Sequence, residues 1–249
     1  MAYSELHFNS QSLNGGVTVN VILPDNIDAP CKTLYLLHGM SGDYSSWMRY
    51  TSIERYAKQH NIAVVMPGAS NSWYADTACG ANYFTFVSEE LPAFCRGHFR
   101  WMSDRREDNF IGGLSMGGYG AMKIALTYPE RYFACISLSG SLDITRKNRT
   151  CNLPLWKANF GFDLESPLEL ENTENDIFYL ARRNKESGKP FPEMFIWCGT
   201  EDALIANNRL FRDLLNQLEV AHEYRESEGN HSWKWWDMHI ENGLNFILK

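Results

Sequence analysis

The sequence has no surplus of positive charge. Its 23 Lys and Arg stand against 30 Asp and Glu, a formal net charge of −7. A nucleic-acid surface needs cations to neutralise phosphates, so this balance argues against that class of partner. The one basic cluster, SDRRED at 103–108, carries its own acids and reads as a solvated loop. No apolar run approaches the length of a membrane span, so no membrane partner is expected. The opening MAYSELHFNSQSL has neither a basic n-region nor an apolar h-region; no signal peptide is visible, and a cytoplasmic protein is the expectation. No C-x-x-C pair and no metal-ligand rhythm occurs among the six cysteines, Cys31, Cys79, Cys95, Cys135, Cys151 and Cys198. Several sit inside apolar runs such as FACISLSG and FIWCGT, which suits reduced thiols packed as small hydrophobes. No repeat, low-complexity tract or Gly/Ser linker divides the 249 residues, so one domain spanning 1–249 is expected.

What is present is ordinary for a packed core: 44% hydrophobic and 21% charged residues. The chain opens with two alternating segments, Ser4–Ser12 and Val17–Pro24, separated by the turn-forming Asn14-Gly15-Gly16, which predicts an antiparallel hairpin. The pattern then changes. TLYLLHG, NIAVVMPG, DNFIGGLS, FACISLSG and EMFIWCGT are continuous apolar runs ending in glycine or a small polar residue, as expected of strands buried on both faces of a parallel sheet. Helical patterns lie between them at about 46–60, 82–98, 117–128 and 205–219. Strand and helix in alternation predict an α/β fold, mostly parallel, with helices on both faces and the hairpin added at one edge. Residues 141–192 break the rhythm, being polar and punctuated by Pro154, Pro167, Pro190 and Pro192, and read as an insertion or partial cap over one end of the sheet.

In open α/β sheets ligands bind beyond the carboxyl ends of the strands. One such end is Gly113-Leu114-Ser115-Met116-Gly117, a G-x-S-x-G between a strand-like and a helix-like run. That context is the nucleophile elbow of α/β-hydrolases, where a strained serine projects its hydroxyl and flanking glycines leave room for strand and helix to meet. A phosphate loop is excluded by spacing: there is no G-x-x-x-x-G-K-[ST], and Lys123 stands where G-x-G-x-x-G needs a third glycine. A plain strand-to-helix turn remains the bland alternative, so the serine needs partners.

A serine hydroxyl needs a base, normally a histidine oriented by a carboxylate, and in this fold the chain order is Ser, Asp or Glu, His. Three histidines follow Ser115. His222 opens an alternating run and reads as a strand-surface residue, and His239 lies in the last helical pattern. His231, in SEGNHSW at a strand's carboxyl end, is the expected base. The preceding strand ends at Gly199-Thr200 and offers Asp202, with Glu201 as the fallback acid. The oxyanion donors are expected to be the N–H of Met116, next to the nucleophile, and that of Met40 in the turn after LYLLHG, with His38 bracing this loop.

With these residues in place, the sequence resembles the tributyrin-esterase branch of the esterase D family, a group of α/β-hydrolases. The resemblance is carried in order by LYLLHGMSGDYSSW, VVMPGASNSWYADT, FIGGLSMGGYGAMKIAL, WCGTEDAL and GNHSWKWWD, between Leu34 and Asp237. It implies hydrolysis of short-chain acyl esters without a cofactor, with nucleophile Ser115, acid Asp202, base His231 and oxyanion donors Met40 and Met116. It also makes a homo-oligomer an expectation. Related branches widen the possibilities to cinnamoyl or feruloyl esters and sugar esters, and more distantly to S-formylglutathione hydrolysis and acyl transfer. Ser41 stands where S-formylglutathione hydrolases typically carry cysteine, which weakens the thioester reading. A hydrolase fold that has lost activity and only binds is the non-enzymatic alternative.

Among the eight tryptophans, Trp47 and Trp73 follow strand-like runs and are expected to wall a substrate pocket, with Trp156 in the insertion covering it. Trp197 reads as core. Trp233, Trp235 and Trp236 share a helix start, and at most one face of that group can approach His231.

Overall fold

The computed structural model describes residues 1–25, 30–146 and 152–248. The strands are β1 Ala2–Ser10, β2 Gly15–Leu23, β3 Thr33–Leu37, β4 Ala63–Pro67, β5 Asn109–Leu114, β6 Ala134–Leu138, β7 Glu193–Gly199 and β8 Glu223–Ser227. They form a sheet in the order β1-β2-β4-β3-β5-β6-β7-β8. β1 and β2 pair antiparallel, β2 meets β4 antiparallel, and β3 to β8 run parallel. The five apolar runs are thus β3 to β7, and every residue of β3, β4, β5 and β6 is buried.

Alternation along these strands feeds two cores. Leu34, Leu36, Val64, Met66, Phe110 and Ile136 face one side. Tyr35, Leu37, Ala63, Val65, Ile111 and Cys135 face the other. The helical segments are α1 Ser46–Tyr50, α2 Ile53–His60, α3 Tyr83–Thr85, α4 Leu91–His98, α5 Met116–Thr127, α6 Leu153–Phe160, α7 Ile177–Glu186, α8 Ile205–Gln217 and α9 Trp233–Ile247. Trp47, Ile53, Trp236 and Ile240 bring α1, α2 and α9 onto the first core. Leu91, Met116, Leu180 and Phe211 bring α4, α5, α7 and α8 onto the second. The fold is that of an α/β-hydrolase, with the hairpin at the edge.

Three details depart from the sequence pattern, and in two of them a distant side chain supplies a hydrogen bond. The hairpin closes at Ser10 opposite Gly15, so the two glycines lie in β2 and the turn is residues 11–14, with Asn14 at φ 51°. The Glu90 carboxylate accepts from the N–H groups of Gln11 and Ser12, both at 2.9 Å, and holds that longer turn. Glu90 ends a π-helical turn, Phe86–Glu90, which joins α3 to α4 within the expected helix at 82–98. The helix expected at 46–60 breaks between α1 and α2, where Thr51 Oγ1 donates to Trp47 O at 2.6 Å and Ser52 N–H donates to Asp237 Oδ1 of α9 at 2.8 Å.

Within 141–192, α7 packs on α5, and Asn184 Nδ2 donates to Leu126 O at 2.6 Å; residues 147–151 lie outside the described residues. Cys31, Cys95, Cys135 and Cys198 are buried free thiols and Cys79 an exposed one, while Cys151 also lies outside the described residues. Among the described residues no helix is long and apolar enough to cross a membrane.

Candidate active site

β5 ends at Leu114 and α5 starts at Met116, so a single residue turns the chain from strand into helix. Ser115 does so at φ 54° and ψ −118°, a backbone state rarely adopted by a residue with a side chain. The turn is held by Ser115 N–H donating to Leu138 O and Ser141 N–H donating to Ser115 O, both at 3.0 Å. The flanking glycines are needed for space. A Cβ on Gly113 would lie 2.5 Å from the Gly117 backbone, and one on Gly117 would lie 2.3 Å from Leu37 O. Met116 is the first residue of α5, where an N–H has no intrahelical acceptor and the helix dipole is positive.

The loops after β7 and β8 bring two more side chains to this point. Ser115 Oγ lies 3.0 Å from His231 Nε2, and His231 Nδ1 lies 2.9 Å from Asp202 Oδ2. A carboxylate only accepts, so it fixes the imidazole proton on Nδ1 and leaves Nε2 to accept from the serine hydroxyl. Asp202 is 2% exposed. Burial pushes its carboxyl up, but hydrogen bonds from His231, the Leu204 N–H and the Ser139 hydroxyl hold it below the ordinary aspartate range. Ser139 Oγ in turn accepts from Trp236 Nε1 at 3.1 Å, and the Trp236 ring meets the His231 ring edge-on at 4.8 Å. The two loops touch backbone to backbone: Glu201 N–H donates to Gly229 O at 2.9 Å, and a Cβ on Gly199 would lie 2.2 Å from that oxygen. Glu201, the fallback acid, is exposed. His222 sits just before β8 with Nδ1 on Val220 O, and His239 is stacked on Trp197 at 3.9 Å.

The loop after β3 closes the other side. His38 is 1% exposed, and its Nε2 accepts from Ala69 N–H at 2.9 Å. The ring proton therefore sits on Nδ1, which donates to Gly39 O at 2.7 Å. Burial lowers the pKa of His38, which keeps the ring neutral. In a trans peptide C=O and N–H point opposite ways. Holding the Gly39 carbonyl against His38 thus turns the Met40 N–H away from it. Gly39 itself lies against the elbow, since a Cβ there would fall 3.3 Å from Ser115 Cβ. Tyr74 Oη donates to His38 O at 2.9 Å, and Ser41 N–H donates to Asn71 Oδ1 at 2.7 Å.

Ser115 and His231 open into a cleft of roughly 630 Å³ lined also by Met40, Asp43, Arg49, Tyr50, Leu114, Trp233 and Trp236. The expected aromatic walls are corrected here. Trp47 is 1% exposed, its Nε1 donating to Leu37 O at 3.0 Å beneath α1. Trp73 and Trp156 are each 2% exposed and pack on one another at 4.7 Å in the core on the opposite face of the sheet. None of the three lines the cleft, because each indole is large enough to bury more surface in a core than at a rim. The segment SNSWYADT instead buttresses the loop after β3 through Asn71 and Tyr74, and Ala69, just before it, does the same. The cleft wall also holds Arg49 and Tyr50, missed in the sequence, and Trp233, from the group expected to approach His231 with one face. Its one sequence signal is Trp233 two residues after His231, at the start of a helix. Among the described residues no group of three or more His, Cys, Asp or Glu is arranged to hold a metal.

Residues 10–247 match the family model named Esterase. The chain is 34% identical to an acetyl esterase of Caldicellulosiruptor saccharolyticus, covering 100% of this chain and 99% of that one. A solved structure of fluorophosphonate-binding serine hydrolase F from Staphylococcus aureus is similar at TM-score 0.92 and 34% identity, covering 100% of this chain and 98% of the other. An S-formylglutathione hydrolase of the same organism is similar at TM-score 0.90 and 33% identity, covering 100% and 99%.

Proposed function

The chain belongs to the Esterase family, as a serine carboxylesterase of the esterase D group, and on that premise we propose that it hydrolyses short-chain acyl esters through an acyl-enzyme on Ser115. The observation that carries this reading is the unbroken relay from Ser115 Oγ to His231 to the buried Asp202, at 3.0 and 2.9 Å. His231 Nε2 takes the hydroxyl proton as Ser115 Oγ attacks the ester carbonyl. The N–H groups of Met116 and Met40 receive the developing oxyanion, each donor contributing about 3 kcal/mol in comparable sites. His231 then protonates the leaving alcohol. Water, deprotonated by the same nitrogen, attacks the acyl-enzyme and releases the acid and Ser115. Asp202 holds the imidazole tautomer and stabilises the imidazolium.

The acetyl group named for the 34% identical relative supports a small acyl group. The likeness to an S-formylglutathione hydrolase favours a second substrate, a short acyl thioester, on the same machinery. The test is hydrolysis of p-nitrophenyl esters from acetate to octanoate, with methyl ferulate and an acyl thioester, beside Ser115→Ala. A peak at the shortest esters that vanishes in the variant is expected. Undiminished activity in Ser115→Ala would overturn the nucleophile; a preference for ferulate would overturn the short-chain assignment, and a preference for the thioester would move it to the second reading.

A further inference from the structure

The outer wall of the cleft combines a stacked aromatic pair with a cation that has no ion-pair partner. Tyr50 and Trp233 stack at 5.0 Å with 28° between their planes. Trp233 also meets the buried Trp47, edge-on at 5.4 Å, which anchors the pair to the core. Arg49 lies beside it, its guanidinium carbon 5.2 Å from the Tyr50 ring centroid. Arg49 lines the cleft, and among the described residues it forms no ion pair.

The other charged side chain on the cleft wall is committed elsewhere. Asp43 Oδ1 accepts from Ser45 N–H at 2.8 Å, Ser45 Oγ at 2.7 Å and Ser46 Oγ at 3.2 Å. Burial pushes its carboxyl up, but these donors hold it below the ordinary range, so it serves as an internal acceptor for the start of α1. A chain with a net charge of −7 thus presents, on the wall of this cleft, a guanidinium that forms no ion pair.

Which half of an ester meets this wall follows from the proton transfer. The leaving oxygen must take its proton from His231 Nε2, so the leaving group lies on the His231 side of the elbow. Trp233 follows His231 by two residues, and Tyr50 stacks on Trp233. We propose that Arg49 is a specificity residue for the leaving group, and that the enzyme prefers esters whose alcohol or phenol portion packs against the stacked Tyr50–Trp233 pair and ends in a carboxylate. A guanidinium offers a planar fork matched to a carboxylate, and an aromatic face behind it keeps the fork oriented. This inference rests on the serine-esterase reading above.

The test compares two substrates with one acyl group and one ring: 4-acetoxybenzoate, whose leaving group is anionic, and methyl 4-acetoxybenzoate, whose leaving group is neutral. The quantity read is the ratio of their kcat/KM values. In Arg49→Gln this ratio is expected to fall about tenfold or more through KM of the anionic ester, with partial recovery in Arg49→Lys; the bare charge survives there without the fork. Salt is expected to lower the ratio in the wild type and to leave it flat in Arg49→Gln. An unchanged ratio in Arg49→Gln overturns the assignment. So does a preference for an ester with a cationic leaving group, which would make Asp43 the dominant charge. Ser115→Ala run alongside separates the two readings: if it abolishes hydrolysis of both esters while Arg49→Gln leaves the ratio unmoved, the esterase reading stands and the Arg49 inference alone fails.

Discussion

The two walls of the cleft are built by opposite means. The inner wall, from His38 to Gly42 and across Ser115 to Gly117, is a backbone surface. Its carbonyls and N–H groups are cross-braced by His38, Asn71 and Tyr74, and its glycines leave no room for a Cβ. The outer wall is a side-chain surface: Tyr50 is 49% exposed, and Arg49 and Trp233 also reach solvent. The inner wall can change little without closing the elbow, so it is suited to holding charge in a fixed geometry. The outer wall can change residue by residue without disturbing the sheet. On the proposed mechanism, the contrast would give rate to one wall and choice of substrate to the other.

The contrast can be broken in four places. The largest effect is expected at Asp202→Asn, which removes the acceptor that fixes the His231 tautomer; kcat should fall about 10⁴-fold, as for the equivalent change in a serine-protease triad, with KM little changed in steady-state assays. Next is His38→Leu, which releases the Gly39 carbonyl and frees the Met40 peptide to rotate. If the inner wall governs rate, kcat falls about 10²-fold, the cost of losing one oxyanion donor. A rise in KM at constant kcat would move His38 to the substrate-binding side. Trp233→Ala should do the reverse, raising KM for aryl esters about fivefold while kcat stays within about threefold, for loss of one aromatic contact of 0.5–1.5 kcal/mol.

The smallest effect on turnover is expected beneath the inner wall. Lys123 of α5 is 4% exposed and donates to Tyr74 O at 3.2 Å and Asn175 Oδ1 at 2.7 Å, under the tyrosine that braces His38. Burial lowers its pKa to about 7, against the opposing pull of Asp76 and Glu174. Between that value and the ordinary lysine range the unfolded chain binds the extra proton. Stability therefore rises with pH through this window and carries the full penalty below it. Urea unfolding of Lys123→Met from pH 6 to 10 should show a flatter profile than the wild type. A parallel profile would mean that the amine is charged in the fold at all these pH values.

The inner wall was also the legible one. G-x-S-x-G is a local signature because its glycines answer to the backbone of their own turn, and β3 to β7 could be read from runs of residues that must be buried on both faces. The approach of His231 and Asp202 to Ser115 follows from strand order, which chain order constrains. The outer wall followed no such rule. Trp47, Trp73 and Trp156 looked like pocket residues by position, yet the Leu37 carbonyl and the mutual packing of Trp73 and Trp156 draw them inside. Arg49 and Tyr50 reach the cleft because α1 stops at Tyr50, and α2 is set off by Ser52 bonding Asp237, 185 residues away. A contact of that span leaves no trace in a local pattern. The hairpin turn was misplaced for the same reason, its N–H groups being met by Glu90.

The relay also has a sequence in time. Ser115 sits at the centre of the sheet, but the imidazole it needs arrives 116 residues later, beyond the edge strand β8. At a synthesis rate of about 5–20 residues per second, roughly 6 to 23 seconds separate the two. On the proposed mechanism, an elbow completed early would wait through that interval with no base beside it, so a growing or truncated chain would carry Ser115 without the means to activate it.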